Sequence, residues 1–292
     1  GDIPWHTDTL DPPAGDGRYA PAETGAGASV AVIDTGGPTR VSAHFPRLAS
    51  ECFSAVDDGD GCADGHGHGT HVSSTALGVR SGNLPGGVAP DATLIVVRVL
   101  RDNGGGTDEM VARGVDWLGA YCSGQGTCQL MTANLSLGGP ASAILEKALC
   151  NLRALGVTVF VAAGNDGADA TNSSPARLRD VVTVGATDQQ NRRANFSNYG
   201  AAVDGFAPGV GITASNQVGQ PWTISGTSMA TPMEAALGAL CIEAGARGPD
   251  AVEACVHERG RPGAVGDARG GVNRLACATC PRTPDPTPTP GP

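Results

Sequence analysis

The chain has 292 residues, 40% of them hydrophobic, and a formal net charge of −10. That length suffices for one large domain with a sizeable core, and the acidic balance argues against nucleic acid or an anionic membrane as the main partner. No uninterrupted apolar run approaches the roughly 18 residues needed to span a membrane. The first residues, Gly1-Asp2-Ile3-Pro4-Trp5, carry no signal pattern and read as an already processed terminus. The 44 glycines and 4% aromatic content suit tight turns and small residues at helix–sheet contacts. Lys147 is the only lysine among 19 basic residues, which we read as coding bias.

The first clear strand is Ser29–Asp34, four apolar residues followed by a carboxylate. By itself Asp34 is open to two readings, a turn or helix cap and a functional acid. The segment Asp64-Gly65-His66-Gly67-His68-Gly69-Thr70-His71-Val72 then places three of the six histidines within six residues, flanked by glycines. A catalytic base, a metal cluster and a polar loop are all open there. Further strand-like runs follow at Leu94–Leu100, Leu130–Ser136, Val157–Ala163 and Val181–Ala186, nearly continuous in Val, Ile, Leu and Ala, as in parallel strands covered on both faces. Helical patterns lie between them at Thr107–Gly119 and at Ala141–Leu155, the latter starting after Gly-Gly-Pro and stopping at Gly156. This alternation predicts an α/β domain with a mostly parallel sheet. The strand ending at Ala163 runs into Gly164-Asn165, an amide at a strand's carboxyl end, where open α/β sheets collect reactive groups. In Ile224-Ser225-Gly226-Thr227-Ser228-Met229-Ala230-Thr231-Pro232, followed by Met233, Ala236, Leu237 and Leu240, Ser228 stands at the start of an apolar helix. A serine there is commonly an N-cap, but the unpaired N–H groups also favour developing negative charge.

The nine cysteines include four close pairs: Cys52/Cys62, Cys122/Cys128, Cys241/Cys255 and Cys277/Cys280. In an oxidising compartment these can close four small loops and leave Cys150 free, although spacing does not determine connectivity. Cys150 falls on an apolar helical stretch and reads as a buried thiol. A metal reading of Cys277-x-x-Cys280 lacks a second Cys/His pair at zinc-site spacing. From Pro281 to Pro292 the chain is almost entirely Pro, Thr and Gly, an extended tail or linker. The expected division is therefore a catalytic domain over 1–278 and a tail over 279–292.

Taken together, Asp34, the histidine loop, Asn165 and Ser228 supply an orienting acid, a base, an oxyanion donor and a nucleophile. The segments Val-Ile-Asp34-Thr-Gly, Gly-His68-Gly-Thr-His and Gly-Thr-Ser228-Met-Ala-Thr-Pro, in that order, resemble the three signatures of the subtilisin-like serine proteases, and more narrowly of the proteinase K branch. The resemblance runs from about Trp5 to about Leu275 and includes Asn134-Leu-Ser-Leu-Gly-Gly139 and Asn195-Phe-Ser-Asn-Tyr-Gly200. It implies a subtilisin-like three-layer α/β fold, with helices flanking a mostly parallel central sheet. The implied activity is that of a secreted, extracellular serine endopeptidase working through an acyl-enzyme. Asp34, His68 and Ser228 are then the triad, with the Asn165 amide and the Ser228 N–H as the oxyanion hole. His71 is expected to be structural and His66 a loop residue peculiar to this chain. Ser136, Leu137, Gly138, Ala162, Ala163 and Gly164 match the family's substrate walls, which read main chain and imply broad specificity with an apolar or aromatic preference at P1. The resemblance further implies a structural Ca²⁺ held by Asp204 and the carbonyls of Arg179 and Val181, a family ligand set suited to a hard cation. The family's second, weaker calcium site has no counterpart that can be placed in this sequence. The implied partners are protein or peptide substrates and the chain's own propeptide, the protein acting as a monomer.

The chain departs from the family at Ser73-Ser74 and at Met233-Glu234-Ala235-Ala236. Glu234 lies on the stripe expected to be buried, so it needs a proton, a partner or more exposure. The two helices pack together in the family, and a Glu234 hydrogen bond to Ser73 or Ser74 is the expected compensation. The cysteine pairs also differ from proteinase K's bridges, so that connectivity does not transfer. Two rival functions are a metal-dependent hydrolase, from His66-x-His68-x-x-His71, and a peptide-binding pseudoprotease. Asn134, Asn172 and Asn195 begin glycosylation sequons, Asn134 within a strand expected to be buried.

Overall fold

The structure, a computed structural model, describes residues 9–10, 21–40 and 42–280. The N-terminal residues 1–8 and the tail 281–292 lie outside that description. The strands are β1 (Ser29–Asp34), β2 (Phe53–Ser54), β3 (Thr93–Arg98), β4 (Met131–Leu135), β5 (Thr158–Ala162), β6 (Val182–Thr187), β7 (Gly205–Pro208), β8 (Ile212–Ser215), β9 (Pro221–Ile224), β10 (Arg261–Pro262) and β11 (Arg274–Leu275). Nine of them form one sheet in the order β10-β11-β7-β6-β5-β4-β1-β3-β2, parallel except for the β10–β11 pair; β8 and β9 form a separate antiparallel hairpin. The helices are α1 (His68–Leu77), α2 (Asp108–Gln125), α3 (Ala143–Ala154), α4 (Thr227–Glu243) and α5 (Pro249–Arg259).

Near-continuous apolar strands make two large cores because successive side chains point to opposite faces, and a smaller third cluster forms around Phe206 and Leu275. Val30 and Val32 of β1 pack with Val72 of α1, Met229 and Leu237 of α4 and Val256 of α5. Ala31 and Ile33 of the same strand pack with Val115 and Leu118 of α2 and Leu149 and Leu152 of α3. The result is the three-layer arrangement expected from the sequence, with every predicted strand present within two residues at either end. Among the described residues no helix is long and apolar enough to cross a membrane.

Three expectations are corrected. Helix α2 does not stop at Gly119 but continues to Gln125. Gly119 is retained inside it because Leu155 of the neighbouring segment packs there, 2.9 Å from where a Cβ would stand. Cys150 is not a core thiol: it is half-buried, and its Sγ faces Asp180 Oδ2 at 3.4 Å, since the stripe of α3 that enters the core is Leu145, Ala148, Leu149 and Leu152. All four close cysteine pairs form disulfides, Cys277–Cys280 among them, which removes the metal reading of that pair.

The third correction concerns Glu234. It is fully buried on α4, as expected, but its partner is Arg274 of β11 at 3.3 Å rather than either serine. Ser73 Oγ donates back to the Gly69 carbonyl (2.8 Å), while Ser74 Oγ contacts His44 Nε2 (2.7 Å) and accepts the Ser215 N–H (3.0 Å). The serine hydroxyls are thus consumed within α1 and its neighbours, and a full positive charge meets the carboxyl instead. Burial pushes the Glu234 carboxyl above the usual carboxylate range against the pull of Arg274. Arg274 also reaches the Val256 and Asp204 carbonyls, both at 3.3 Å, so one guanidinium joins α4, α5 and the segment before β7. Removing one partner of such a pair costs about 3–5 kcal/mol, whereas replacing both by apolar groups is close to neutral. Arg274→Met is therefore expected to lower unfolding stability by about that amount in denaturant titration. The double substitution Glu234→Met/Arg274→Met is expected to recover most of the loss.

Candidate active site

The carboxyl ends of β1, β4 and β5 bring the sequence-predicted residues to one edge of the sheet. Asp34 closes β1, and its Oδ1 accepts the Thr35 N–H and faces His68 Nδ1, each at 2.7 Å. A carboxylate can only accept, so the neutral imidazole carries its proton on Nδ1 and leaves the Nε2 lone pair free. His68 is the first residue of α1, and the glycine after it is dictated by close approach: a Cβ on Gly69 would stand 2.1 Å from the Gly36 carbonyl oxygen. Burial works against a charged His68, but the Asp34 charge and hydrogen bond, with the charge of Asp64, outweigh it and raise its pKa above the ordinary 6.5.

Asp64 is the organiser of this loop. Its Oδ1 accepts from Thr35 Oγ1 (2.8 Å) and the Gly67 N–H (2.7 Å), and its Oδ2 from the Thr70 N–H (2.8 Å) and Oγ1 (2.7 Å). Burial alone would raise its pKa, and these donors overcome that and hold it below the usual range. In the sequence Asp64 stands out only as the start of the histidine segment, although a carboxylate four positions before His68 in a glycine-rich loop was the available signal.

The other two histidines of the loop have different surroundings. His71 Nε2 donates to the Ile212 (3.2 Å) and Trp222 (3.1 Å) carbonyls, and burial lowers its pKa to about 4. With His68 Nδ1 on Asp34 and His71 Nε2 on backbone carbonyls, the three rings do not converge on one point. Among the described residues, the carboxylate and imidazole atoms close enough to share a cation are those of Asp58, Asp60 and Asp102. Asp58 and Asp102 there already pair with Arg98. The zinc-motif reading of His66, His68 and His71 is therefore not supported by their arrangement.

Ser228 is the second residue of α4 and half-buried. Pro232, four residues on, has no N–H, so the Ser228 carbonyl is left without its helical donor. Ser136 Oγ fills that place at 2.8 Å, and Ser228 Oγ in return donates to the Ser136 carbonyl at 3.2 Å. The helix start is thereby tied to the end of β4. Asn165 follows β5, and its Oδ1 accepts both the Thr227 N–H (2.8 Å) and Thr227 Oγ1 (3.0 Å), which leaves Nδ2 as the outward donor. Thr227 Oγ1 in turn accepts the Gly164 N–H at 3.2 Å. A Cβ built on Gly226 would stand 3.6 Å from the Ser228 nitrogen and 3.7 Å from Asn165 Nδ2. Both donors thus border one small space. Thr227, which orients the amide, was visible in the sequence only as a neighbour of Ser228.

The register of β4 against β5 sets Leu135 opposite Val161, so the two following segments leave the sheet side by side. They line a cleft of two cavities. One, of about 560 Å³, is bordered by Ser136, Leu137 and Gly138, by Ala162, Ala163 and Gly164, and by Asn165 and Ser228. The other, of about 470 Å³, shares Ser136–Pro140 and is bordered by His68, His66, Leu100 and Gly104–Gly106. Away from the cleft, Arg179, Val181 and Asp204 border a cavity of about 340 Å³. An NMR titration of the imidazoles is expected to place His71 near pH 4 and His68 above 6.5; a His68 midpoint below 6.5 would mean that Asp34 does not govern it.

A family model described as the subtilase family matches residues 25–253. The alkaline serine exoprotease A of Vibrio alginolyticus is 40% identical over 283 residues, covering 94% of this chain and 51% of the relative. An extracellular serine proteinase of Thermus sp. (strain Rt41A) is 43% identical over 78% of this chain and 53% of its own length. The chain thus spans about half the length of these two relatives. Subtilisin Savinase of Lederbergia lenta is 40% identical over 82% of this chain and 83% of the relative. A solved structure, that of a cold adapted subtilisin-like serine proteinase, superposes with a TM-score of 0.87 at 36% identity, over 95% of this chain and 99% of the other. With its sheet, its helices and most of its length so matched, the chain belongs to the subtilase family.

Proposed function

We propose that this protein is a serine endopeptidase in which Ser228 is the nucleophile, His68 the general base and Asp34 the residue that orients it. The observation that carries this reading is the Asp34–His68 hydrogen bond at 2.7 Å, which directs the free Nε2 to a cleft whose other cavity holds Ser228. In this mechanism the Ser228 hydroxyl turns from the Ser136 carbonyl toward His68 Nε2. The Oγ proton passes to Nε2 as Oγ bonds the peptide carbonyl carbon, and the carbonyl electrons become an oxyanion between the Ser228 N–H and Asn165 Nδ2. When the C–N bond breaks, His68 returns that proton to the departing amine, and water then releases the acyl group by the same route. Asp34 remains ionised and stabilises the imidazolium.

The cavity between Ser136–Gly138 and Ala162–Gly164 has glycine- and alanine-rich walls, with Asp166, Asn172, Ser173 and Ser174 also on its border. An extended peptide can add there as a strand, which supports broad specificity; the family resemblance supports an apolar or aromatic P1 residue. The four disulfides and the name of the Thermus relative support an extracellular location. The family resemblance supports protein substrates, maturation by loss of a propeptide, and action as a monomer.

A structural Ca²⁺ is part of this proposal. Asp204 borders the cavity that also holds Arg179 and Val181, and its Oδ2 accepts the Thr183 N–H at 2.8 Å. Burial raises its pKa to about 6, and a carboxylate so poorly compensated fits a hard cation. Asp204 and the Arg179 and Val181 carbonyls would hold the ion, which would supply a crosslink between their segments.

Ser228→Ala is expected to remove hydrolysis of casein and of chromogenic peptides by about 10⁶-fold, the scale known for subtilisin. Asn165→Leu is expected to lower kcat by about 10²–10³-fold, again the subtilisin value, with KM little changed. Because His68 must be neutral to act as a base, kcat/KM is expected to rise with pH through a midpoint above 6.5. Saturating Ca²⁺ is expected to raise the thermal midpoint by about 5 °C or more, and Asp204→Asn to abolish that shift.

A further inference from the structure

His66 stands two residues before His68 and is not used by the chemistry above. Its Nδ1 is buried and has no hydrogen-bond partner, and its ring meets that of His68 edge-on, with centroids 6.2 Å apart and planes at 71°. Its Nε2 lies beside Gly104, where a Cβ would stand 3.3 Å away; with φ at +78° as well, Gly104 keeps that side of the ring open. Both residues border the cavity of about 470 Å³ that His68 shares. A buried N–H without an acceptor is costlier than a bare ring lone pair. The neutral ring therefore carries its proton on Nε2, the nitrogen beside Gly104, and presents a donor to the cavity.

Side chains of an extended peptide alternate between faces. If the residue attacked by Ser228 places its side chain in the cavity beside Asn165, the preceding residue turns toward His68 and His66. We propose that His66 is a specificity-determining residue: its Nε2–H donates to the side chain immediately before the attacked residue and favours a carboxamide or carboxylate there, Asn or Asp, over Leu of the same shape. A substrate oxygen at that place pairs the Nε2–H once the bound peptide has shut water out of the cavity. An apolar side chain would instead cover the donor and leave it dry.

This inference rests on the endopeptidase reading, and peptide hydrolysis separates the two. The substrates are succinyl-Ala-Ala-Xaa-Phe p-nitroanilides with Xaa as Leu, Asn or Asp, assayed with the wild type and with His66→Phe. We expect the wild type to show kcat/KM about 3- to 10-fold higher for Asn than for Leu, with Asp favoured over Leu in the same direction. In His66→Phe the Asn-to-Leu ratio is expected to fall to one or below, with the Leu peptide reporting that the variant is folded. A wild-type ratio of one or less overturns the proposal without any variant, as does an unchanged ratio in His66→Phe. If the wild type cleaves none of the peptides and does not cleave casein, the endopeptidase reading falls and takes this one with it.

Discussion

Helix α4 is buried along nearly its whole length, with Met229 through Ile242 all inside the protein. A helix with no wet face cannot leave its polar groups to water, so each must be met from within. Three features follow from that constraint. The carbonyl that Pro232 leaves without a donor is met by Ser136; the Glu234 carboxyl is met by Arg274; and Thr231 returns its hydroxyl to the Thr227 carbonyl. Each solution ties α4 to a different neighbour or to itself. Ser228, at the tip of this helix, is therefore held by contacts that reach from the end of β4 to β11, the strand next to the edge of the sheet.

Three histidines within one loop show how environment, rather than residue type, assigns chemistry. His68 faces the Asp34 carboxylate and is biased toward accepting a proton. His71, one helical turn on, faces two carbonyls and is biased toward neutrality. His66 faces the cleft with one nitrogen buried and unpaired. The carboxylate that makes the distinction possible is Asp64, since its hydrogen bonds to Thr35, Gly67 and Thr70 hold the loop in the one shape that points each ring its own way. The oxyanion side uses the same device: Thr227 occupies the oxygen of the Asn165 amide, so only its nitrogen is free to donate.

The parallel strands were legible because burial on both faces writes a nearly uninterrupted apolar run, and the helices because glycine and proline punctuate them. Element ends were less so: Gly119 looks like a stop and is in fact a packing site for Leu155. Asp34, His68, Asn165 and Ser228 could be singled out because their local motifs are long and occur in a fixed order. The cysteines stand in close pairs along the chain, but their connectivity stayed open until the structure joined each to its near neighbour.

What the sequence determined by itself was therefore whatever depends on nearest neighbours in the chain: the α/β alternation, the apolar layers and the motifs. Tertiary structure alone decided the pairings between distant residues. Glu234 and Arg274 are 40 residues apart, and the Ser136–Ser228 exchange spans 92. No period or spacing encodes such contacts, because they depend on which face of each helix turns toward which strand. The same reason explains the failed expectation for Ser73 and Ser74: their hydroxyls found acceptors and donors close at hand, and a buried carboxyl required a charge that only the folded edge of the sheet could bring.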